Sequence, residues 1–499
     1  PALQLMYDDM HYTNLERKLD SDLNLEQYVK DIGGIVRTNG ESRVDTELYN
    51  VRSKKWWLQR LEASFWLRPA LTRKMQTVFE RYGAVEFDSA LLRPCSSSER
   101  NSTTSTLLDE NGVVVKLPST LCHGWARYVA LNHPNVVLRE NLRRYSFDRV
   151  YRKQQRGIRA PRELHEAEYD IVWPLYITND DEESQESVRM ACALEAECMV
   201  VTMDSLRSTL SSVTMTKNES HYYVRFSDAR ILRYVLKASG VSKELRRGIT
   251  KSLLREERRV RDELRLLSAV QHRSVLNSAR KRIRDQMMKI ENMSQNTVQN
   301  LLKFVLLPSD PTDALKSLRN SLLKESVKQT HFATEEELKD AIRAVDAALK
   351  TIAFVSIFDA TGETDLSTSP SSSKMYSVLE FSLWLSPRKG SEHYDTGLYF
   401  QALLRRESSS KKAIRDLVAD GGRYDNLIRE YTRFGSSKLG AVGVRFYLDK
   451  IVETKLERWY ANNRNGGGRL RKSRTRVLVC DANGEGCANK SLEERMRVA

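Results

Sequence analysis

Cysteine is scarce and unpatterned. The 6 cysteines of the 499-residue chain (Cys95, Cys122, Cys192, Cys198, Cys480 and Cys487) form no CxxC pair and no zinc-ligand spacing. That excludes a disulfide framework and a structural zinc module, and it suits a reducing compartment. Long apolar runs are missing too. No stretch approaches the roughly 20 residues of a membrane span, and no secretory signal opens the chain. The expectation is a cytoplasmic protein with no membrane partner. Ligand-binding fingerprints are also absent: there is no P-loop or GxGxxG for phosphate and no HExxH for zinc. The HRD, DFG and APE elements of a protein-kinase catalytic domain do not occur either. No internal repeat is present. The sequence begins at Pro1 and is expected to be a segment of a longer protein.

What is abundant is positive charge. Lys and Arg number 81 against 66 Asp and Glu, a formal net charge of +15. Such a balance favours polyanionic partners, such as RNA or an acidic protein face, or is simply a basic, soluble surface. Apolar residues make up 40% of the chain, enough for real cores, and the length suggests about three domains.

Residues 1–55 are polar, with a short helix and turn expected in "DSDLNLEQYVKDIGG". From residue 56 to 240 helix and strand patterns alternate. Leu71, Met75, Val78 and Phe79 recur at helical spacing before Gly83, a helix-stop signal. "DENG" (109–112) reads as a hairpin turn. "RVYRKQQRGIRAPRELHEAEYDIV" (149–172) reads as a short strand, a basic loop and a second short strand, with Arg152, Lys153, Arg156, Arg159 and Arg162 around its tip. A hairpin so charged usually faces phosphate. A helix with an acidic first turn is expected over 179–206, and another over 229–240 closed by Gly240. Residues 241–350 are Arg-rich and helix-forming, an insertion in a mixed sheet domain. Strands return over 351–460, at 376–386 and 397–408. "GGRYD" (421–425) reads as a glycine turn into a helix, and "GAVGV" (440–444) as a closely packed strand. Residues 461–475 form a linker by composition, and 476–499 open a further strand that cannot make a domain unaided. His123, His165 and His393 lie in these segments, and a lone histidine is more often structural than catalytic.

Each glycine turn alone reads as tight packing. Their order after a basic strand–loop–strand resembles the core of a class II aminoacyl-tRNA synthetase of the histidyl type. "LTRKMQTVFERYGAVEFDSALLRP" is similar to that family's first motif, which builds its dimer interface, and the basic hairpin to its second. "HYDTGLYFQALL" and "GGRYDNLI" look like histidyl-specific elements, with "AVGVRFYLDKI" in the third motif. The resemblance spans roughly residues 60–456 and implies an α+β fold: a class II synthetase-like antiparallel sheet flanked by helices, with a helical insertion domain.

The departures from the family's pattern carry the functional expectation. A nucleotide site reduced to Arg152, Glu166 and Lys450 is implied, with Glu166 where the family has Gln. Asp449-Lys450 replaces a Glu-Arg pair whose arginine grips phosphate bidentately, as lysine cannot. The amino-acid pocket maps to Thr120, Cys122, Lys389, Tyr394, Gly421 and Gly422. Thr120 and Cys122 stand where an Asp and a Thr hold the substrate, Lys389 lies nearest a lost arginine, and Arg93 replaces a glutamate. No catalytic residue and no metal ligand is assigned. No cofactor is required, and weak residual ATP binding with Mg is the most that Arg152 implies. The departures look most like the histidyl-synthetase-like regulatory domains of general-control stress kinases. That resemblance implies a homodimer that binds uncharged tRNA, with the ribosome a further partner, beside a kinase domain outside this sequence. Arg258, Arg259, Arg280, Lys281, Arg282 and Arg284 of the insertion are the candidates for tRNA contact. Two alternatives stay open: a divergent active histidine-tRNA ligase, and a stand-alone paralogue regulating another enzyme.

Overall fold

The computed structural model describes residues 54–94, 105–108, 110–132, 141–152, 162–175, 185–210, 222–265, 269–289, 293–305, 308, 310–326, 333–362, 379–388, 390–407, 413–432 and 439–462. The expectations for the N-terminal segment, the truncated strand at Arg476, nearly all of the linker, and Lys153, Arg156 and Arg159 lie outside them.

An eight-stranded sheet organises the chain. The strands are β1 (Val85–Glu86), β5 (Leu142–Arg152), β6 (Arg162–Pro174), β7 (Tyr222–Asp228), β8 (Leu379–Phe381), β9 (Leu398–Glu407), β10 (Ala413–Arg423) and β11 (Leu439–Tyr447), in the order β1-β5-β6-β11-β10-β9-β7-β8. Its interior is antiparallel, and the two outermost pairs, β1 with β5 and β7 with β8, are parallel. A small sheet of β2 (Arg93–Pro94), β3 (Thr106–Leu108) and β4 (Val114–Lys116) stands beside it, and β3 and β4 pair antiparallel across the DENG turn. This is the α+β architecture that the resemblance implied.

Period-two alternation explains why these segments are strands. Along β6, Ala167, Tyr169, Ile171 and Trp173 are fully buried on one face, while Glu166, Glu168 and Asp170 alternate onto the other. The hairpin strands are therefore longer than the short runs expected. They pair from Leu142 opposite Val172 to Arg152 opposite Arg162. The charges that interrupt the apolar run of β6, Glu166, Glu168 and Asp170, fall on one face, whereas Arg143 lies on the other and pairs with Glu197 of a covering helix.

Helices cover the apolar face. These include α1 (Lys54–Arg81), α3 (Gln185–Leu210) and α9 (Glu335–Gly362). Leu71, Met75, Val78 and Phe79 of α1 are all buried, as their spacing predicts. Phe79 lies within 5.8 Å, ring to ring, of Tyr145, Phe147, Tyr169 and Phe446. The helix α4 (Ala229–Ala238) is capped by Asp228, whose side chain accepts from the Arg230 amide. It ends before Gly240, whose φ of 77° glycine adopts without strain. The expected 179–206 helix is α3, and its described first turn carries Glu186.

The Arg-rich segment folds as α5 (Lys243–Arg265), α6 (Ala269–Met288), α7 (Gln295–Leu302), α8 (Pro311–Ser326) and α9. Its apolar side joins the main core: Ile249, Leu253, Ile283, Leu318, Val345 and Ile352 share one buried cluster with Val224 and Phe226 of β7. The last of these helices runs unbroken across residue 350. Two strand expectations change. Over 376–386 the described strand is only Leu379–Phe381, and Leu383, Trp384 and Leu385 are buried without continuing it. "GGRYD" is not a turn: Gly421 and Gly422 sit inside β10, and the helix α10 (Asp425–Tyr431) starts after Tyr424.

Candidate functional site

One lateral row crosses seven strands on the charged face: Ser146, Glu168, Arg445, Asp420, Gln401, Arg225 and Glu380 are successive cross-strand neighbours. All are buried, between 0 and 6% exposed, so every charge in the row must be answered inside the protein.

Arg445 is the centre of the row. Its guanidinium donates to both carboxylate oxygens of Asp420 (3.0 and 3.2 Å), to Ser391 Oγ (2.7 Å), to the Gly390 carbonyl (3.2 Å) and to Tyr447 Oη (2.8 Å). Ser391 and Tyr447 hydroxyls in turn donate to Asp420 at 2.6 and 2.9 Å. Burial opposes the charge of Arg445, but Asp420, Tyr447, Glu166 and Tyr394 together outweigh it and hold the guanidinium well above its ordinary value. Gly422 and Gly443 are paired across β10 and β11 next to this knot. A side chain at Gly443 would meet Asp170 at 2.1 Å, so the close packing foreseen for "GAVGV" serves the charged face.

A second knot surrounds Arg144, which bridges Glu168 (3.0 Å) and Asp170 (2.8 Å) and lies over the Trp125 ring at 5.2 Å. Tyr424 Oη donates to Asp170 at 2.7 Å, and the Leu121 amide donates to Glu168 at 3.1 Å. Burial pushes both Glu168 and Asp170 up from the usual carboxylate range.

The nucleotide-site residues do not form one grip. Arg152 is ion-paired with Glu166, and its guanidinium lies 5.8 Å from the Tyr447 ring centre. Glu166 is fully buried, and burial raises its carboxyl despite Arg445 and Arg152. Asp449 opens α11 (Leu448–Asn462) and binds Arg68 of α1 (3.1 Å) and the His165 amide (3.0 Å). Burial alone would raise Asp449, but the hydrogen bonds from His165 outweigh it and hold the carboxyl below its usual value. Lys450 points away, half-exposed, and pairs with Glu453 along the same helix at 2.8 Å. These side chains do not fit a triphosphate as they stand.

The amino-acid pocket comes together in part. Cys122 begins α2 (Cys122–Asn132), where Thr120 and Cys122 are buried beside the charged face. Burial, then the Asp170 charge, pushes the Cys122 thiol well up, so it stays protonated and cannot replace a charged grip. Tyr394 is buried 6.1 Å from Tyr424 and 6.2 Å from Tyr399, ring to ring, and a side chain at Gly422 would meet Tyr394 at 3.2 Å. Gly421 belongs to the other face: a side chain there would meet Phe400 at 2.6 Å. Lys389 lies outside the described residues. Arg93 is buried in β2 opposite Lys116. His123 and His393 stand 5.4 Å apart, ring to ring, and His123 Nδ1 bonds Tyr431 Oη at 3.0 Å. Among the described residues no group of three or more His, Cys, Asp or Glu is placed to hold a metal ion, and no helix is long and apolar enough to cross a membrane.

The insertion cations divide. Arg280, Lys281 and Arg284 of α6 are exposed. Arg259 is exposed but paired with Glu263 at 3.0 Å, and Arg282 reaches Glu256 and Glu263 of α5 at 3.3 Å each. Arg258 is half-buried, within reach of the charges of Arg225 and Arg415. Sequence reasoning missed Arg144, Glu168, Asp170, Asp420 and Arg445. The alternation in "EAEYD" was the signal for two of them.

No family model matches the chain. It is 24% identical over 403 residues to the probable serine/threonine-protein kinase ifkB of Dictyostelium discoideum, covering 77% of this chain and 24% of that one. It is 26% identical over 387 residues to the eIF-2-alpha kinase GCN2 of Schizosaccharomyces pombe, covering 76% and 19%. Against the cytoplasmic histidine--tRNA ligase of Dictyostelium discoideum it is 21% identical over 412 residues, covering 81% and 68%. The chain thus spans a quarter or less of the length of these kinases. Its fold matches an ATP phosphoribosyltransferase regulatory subunit/histidyl-tRNA synthetase from Bacillus halodurans with a TM-score of 0.51 at 16% identity, over 78% of each chain. The chain therefore has the fold of the histidyl-tRNA synthetase-like proteins, and its sequence is similar to eIF-2-alpha kinases and histidine-tRNA ligases.

Proposed function

We propose that the chain is a catalytically degenerate histidyl-tRNA synthetase-like module that binds uncharged tRNA and regulates an eIF-2-alpha serine/threonine kinase carried on the same longer, cytoplasmic polypeptide. The observation that carries this reading is the Arg445 knot. A buried guanidinium with four partners of its own occupies the centre of the charged face, so the carboxylate and hydroxyls there are spent on the protein rather than on a substrate. Adenylation depends on positioned, charge-stabilising groups, and here they are mutually neutralised. No cofactor is needed for this role. Weak ATP-Mg binding would require Arg152 to leave Glu166. The similarity to kinases over a quarter or less of their length supports an adjacent kinase domain.

Exposed cations on α6 support tRNA as the partner, with the ribosome a second surface rich in phosphate. Exposed apolar residues support a homodimer: Val85, Leu91, Leu92, Leu107, Leu108 and Val113, the most exposed 72%, cluster in sequence around β1 to β4. The test is binding to deacylated and aminoacylated tRNA across a salt series. A steep salt dependence and a preference for deacylated tRNA are expected. Reversing Arg280, Lys281 and Arg284 together should weaken binding about tenfold or more and flatten the salt slope. Histidine-dependent pyrophosphate exchange at synthetase-like rates would refute the degenerate reading and favour the divergent ligase.

A further inference from the structure

Beyond the Arg445 knot, the charged face continues to the β7 edge, where α5 lies over it. Four guanidiniums meet three carboxylates there. Arg225 pairs with Glu380 (2.7 Å), Arg261 with Glu257 (2.7 Å) and with the same Glu380 (3.4 Å), and Arg415 with Asp262. Arg258 is the fourth, and among the described residues it has no acceptor. It lies one helical turn before Arg261 and Asp262, so all three project from one side of α5. Burial, then the like charges of Arg225 and Arg415, push its guanidinium below its ordinary value, and Tyr223 and Glu257 offset them only in part.

Three of these guanidiniums and the neighbouring Tyr223 also keep donors unanswered. Arg225 Nη1, Arg258 Nε, Arg415 Nε and Tyr223 Oη are all buried and all lack a partner. Arg225 is 0% exposed and Tyr223 4%, with the guanidinium 5.4 Å from the Tyr223 ring centre. Each unanswered buried donor costs about 1–3 kcal/mol, so four donors gathered around an excess of positive charge would be stabilised by an anionic acceptor. We propose that Tyr223, Arg225, Arg258 and Arg415 form a binding site for a small phosphate-bearing anion.

The choice of ligand follows from charge and access. A phosphate group supplies several strong acceptor oxygens and the negative charge that Arg258 lacks, and guanidinium forks match its geometry. Arg258 and Arg415 are the partly exposed members, and Arg225 and Tyr223 are buried. Donors buried this far suit a single phosphate group that can be enclosed, rather than the rigid backbone of an RNA duplex. The site is distinct from the outward cations of α6, Arg280, Lys281 and Arg284, proposed to meet tRNA.

The test is thermal unfolding of the whole 499-residue chain with inorganic phosphate or pyrophosphate replacing chloride at constant ionic strength. The wild type, R258M and Y223F are compared. Phosphate should raise the midpoint of the wild type. R258M removes the uncompensated charge but keeps the packing stem, so its midpoint without phosphate should rise, while its phosphate affinity falls about tenfold or more. Y223F should lose about threefold and leave the phosphate-free midpoint unchanged. A wild-type midpoint indifferent to phosphate would overturn the site, and so would an unchanged phosphate response in R258M. If R258M weakened tRNA binding and left the phosphate response intact, Arg258 would belong to RNA and the proposal would fall.

Discussion

The two faces of the main sheet are built from the same strands, one residue out of step, and they are opposites. On one, Ala167, Tyr169, Ile171 and Trp173 of β6 meet Val442, Val444 and Phe446 of β11 beneath α1 and α3. On the other, Glu166, Glu168 and Asp170 meet Tyr447, Arg445 and Gly443. Apolar burial is non-directional and adds up with area, at about 25 cal/mol per Å². Buried ion pairs recover little more than their desolvation, so their value lies in geometry rather than stability. The difference teaches that the fold is held mainly by the face that has no chemistry. The charged face can then change its side chains while the architecture stays.

The strongest way to break this comparison is to attack the apolar face. Phe79→Ala removes a fully buried ring from a cluster of four aromatic neighbours and should cost about 3–5 kcal/mol in urea or guanidinium denaturation. A cost below about 1 kcal/mol would mean that this face does not hold the fold. The matching test on the charged face uses two variants. Asp420→Ala strands the buried Arg445 and should cost about 3 kcal/mol. Adding Arg445→Met should bring stability back to within about 1 kcal/mol of the parent, because the whole pair is then gone. A double variant as unstable as the single one would show that the pair itself stabilises the chain.

One carboxyl on the apolar side sharpens the contrast. Glu195 of α3 is buried, 3.8 Å from Arg423 and 3.3 Å from Thr351 Oγ1, and burial pushes it up to about 7 despite Arg423. Below pH 4.5 it is protonated whether the chain is folded or not. Between pH 4.5 and about 7 the unfolded chain ionises it while the folded chain keeps the proton, so stability falls as pH rises. Above that window the loss is complete, at most roughly 3 kcal/mol. Glu195→Gln should therefore gain on the wild type between pH 4.5 and 8. A difference that stays flat across this range would place the ionised form comfortably in the core.

The apolar face was largely legible in the sequence. Leu71, Met75, Val78 and Phe79 announce a buried helical stripe, and the order of hairpin, HYDTG, GGRYD and AVGV announces the fold. The charged face was legible only where a known motif names a position, as at Arg152 and Glu166. Arg445 and Asp420 reach each other from strands separated by α10, and nothing local says that they pair. "GGRYD" misled for a related reason. Two glycines read as a turn in isolation, yet in β10 they answer crowding from Phe400, Tyr394 and the β11 backbone, all distant in the chain.

Lys450 gives the smallest effect and the finest division. The third-motif resemblance places it at the phosphate grip, whereas the fold places it on the outer side of α11, half-exposed and paired with Glu453 at 2.8 Å. An exposed pair three residues apart contributes only a few tenths of a kcal/mol. Lys450→Ala should therefore change stability by less than about 0.5 kcal/mol and leave any residual ATP binding, followed by calorimetry, unaltered. Arg152→Ala is the paired control. It removes the motif cation that does lie on the charged face and leaves Glu166 buried with, among the described residues, the 3.9 Å contact to Arg445 as its remaining ion pair, so it should lower stability measurably. If Lys450→Ala weakened ATP while Arg152→Ala did not, the nucleotide would sit on the helix rather than on the sheet, and the division between the two faces would have to be redrawn there.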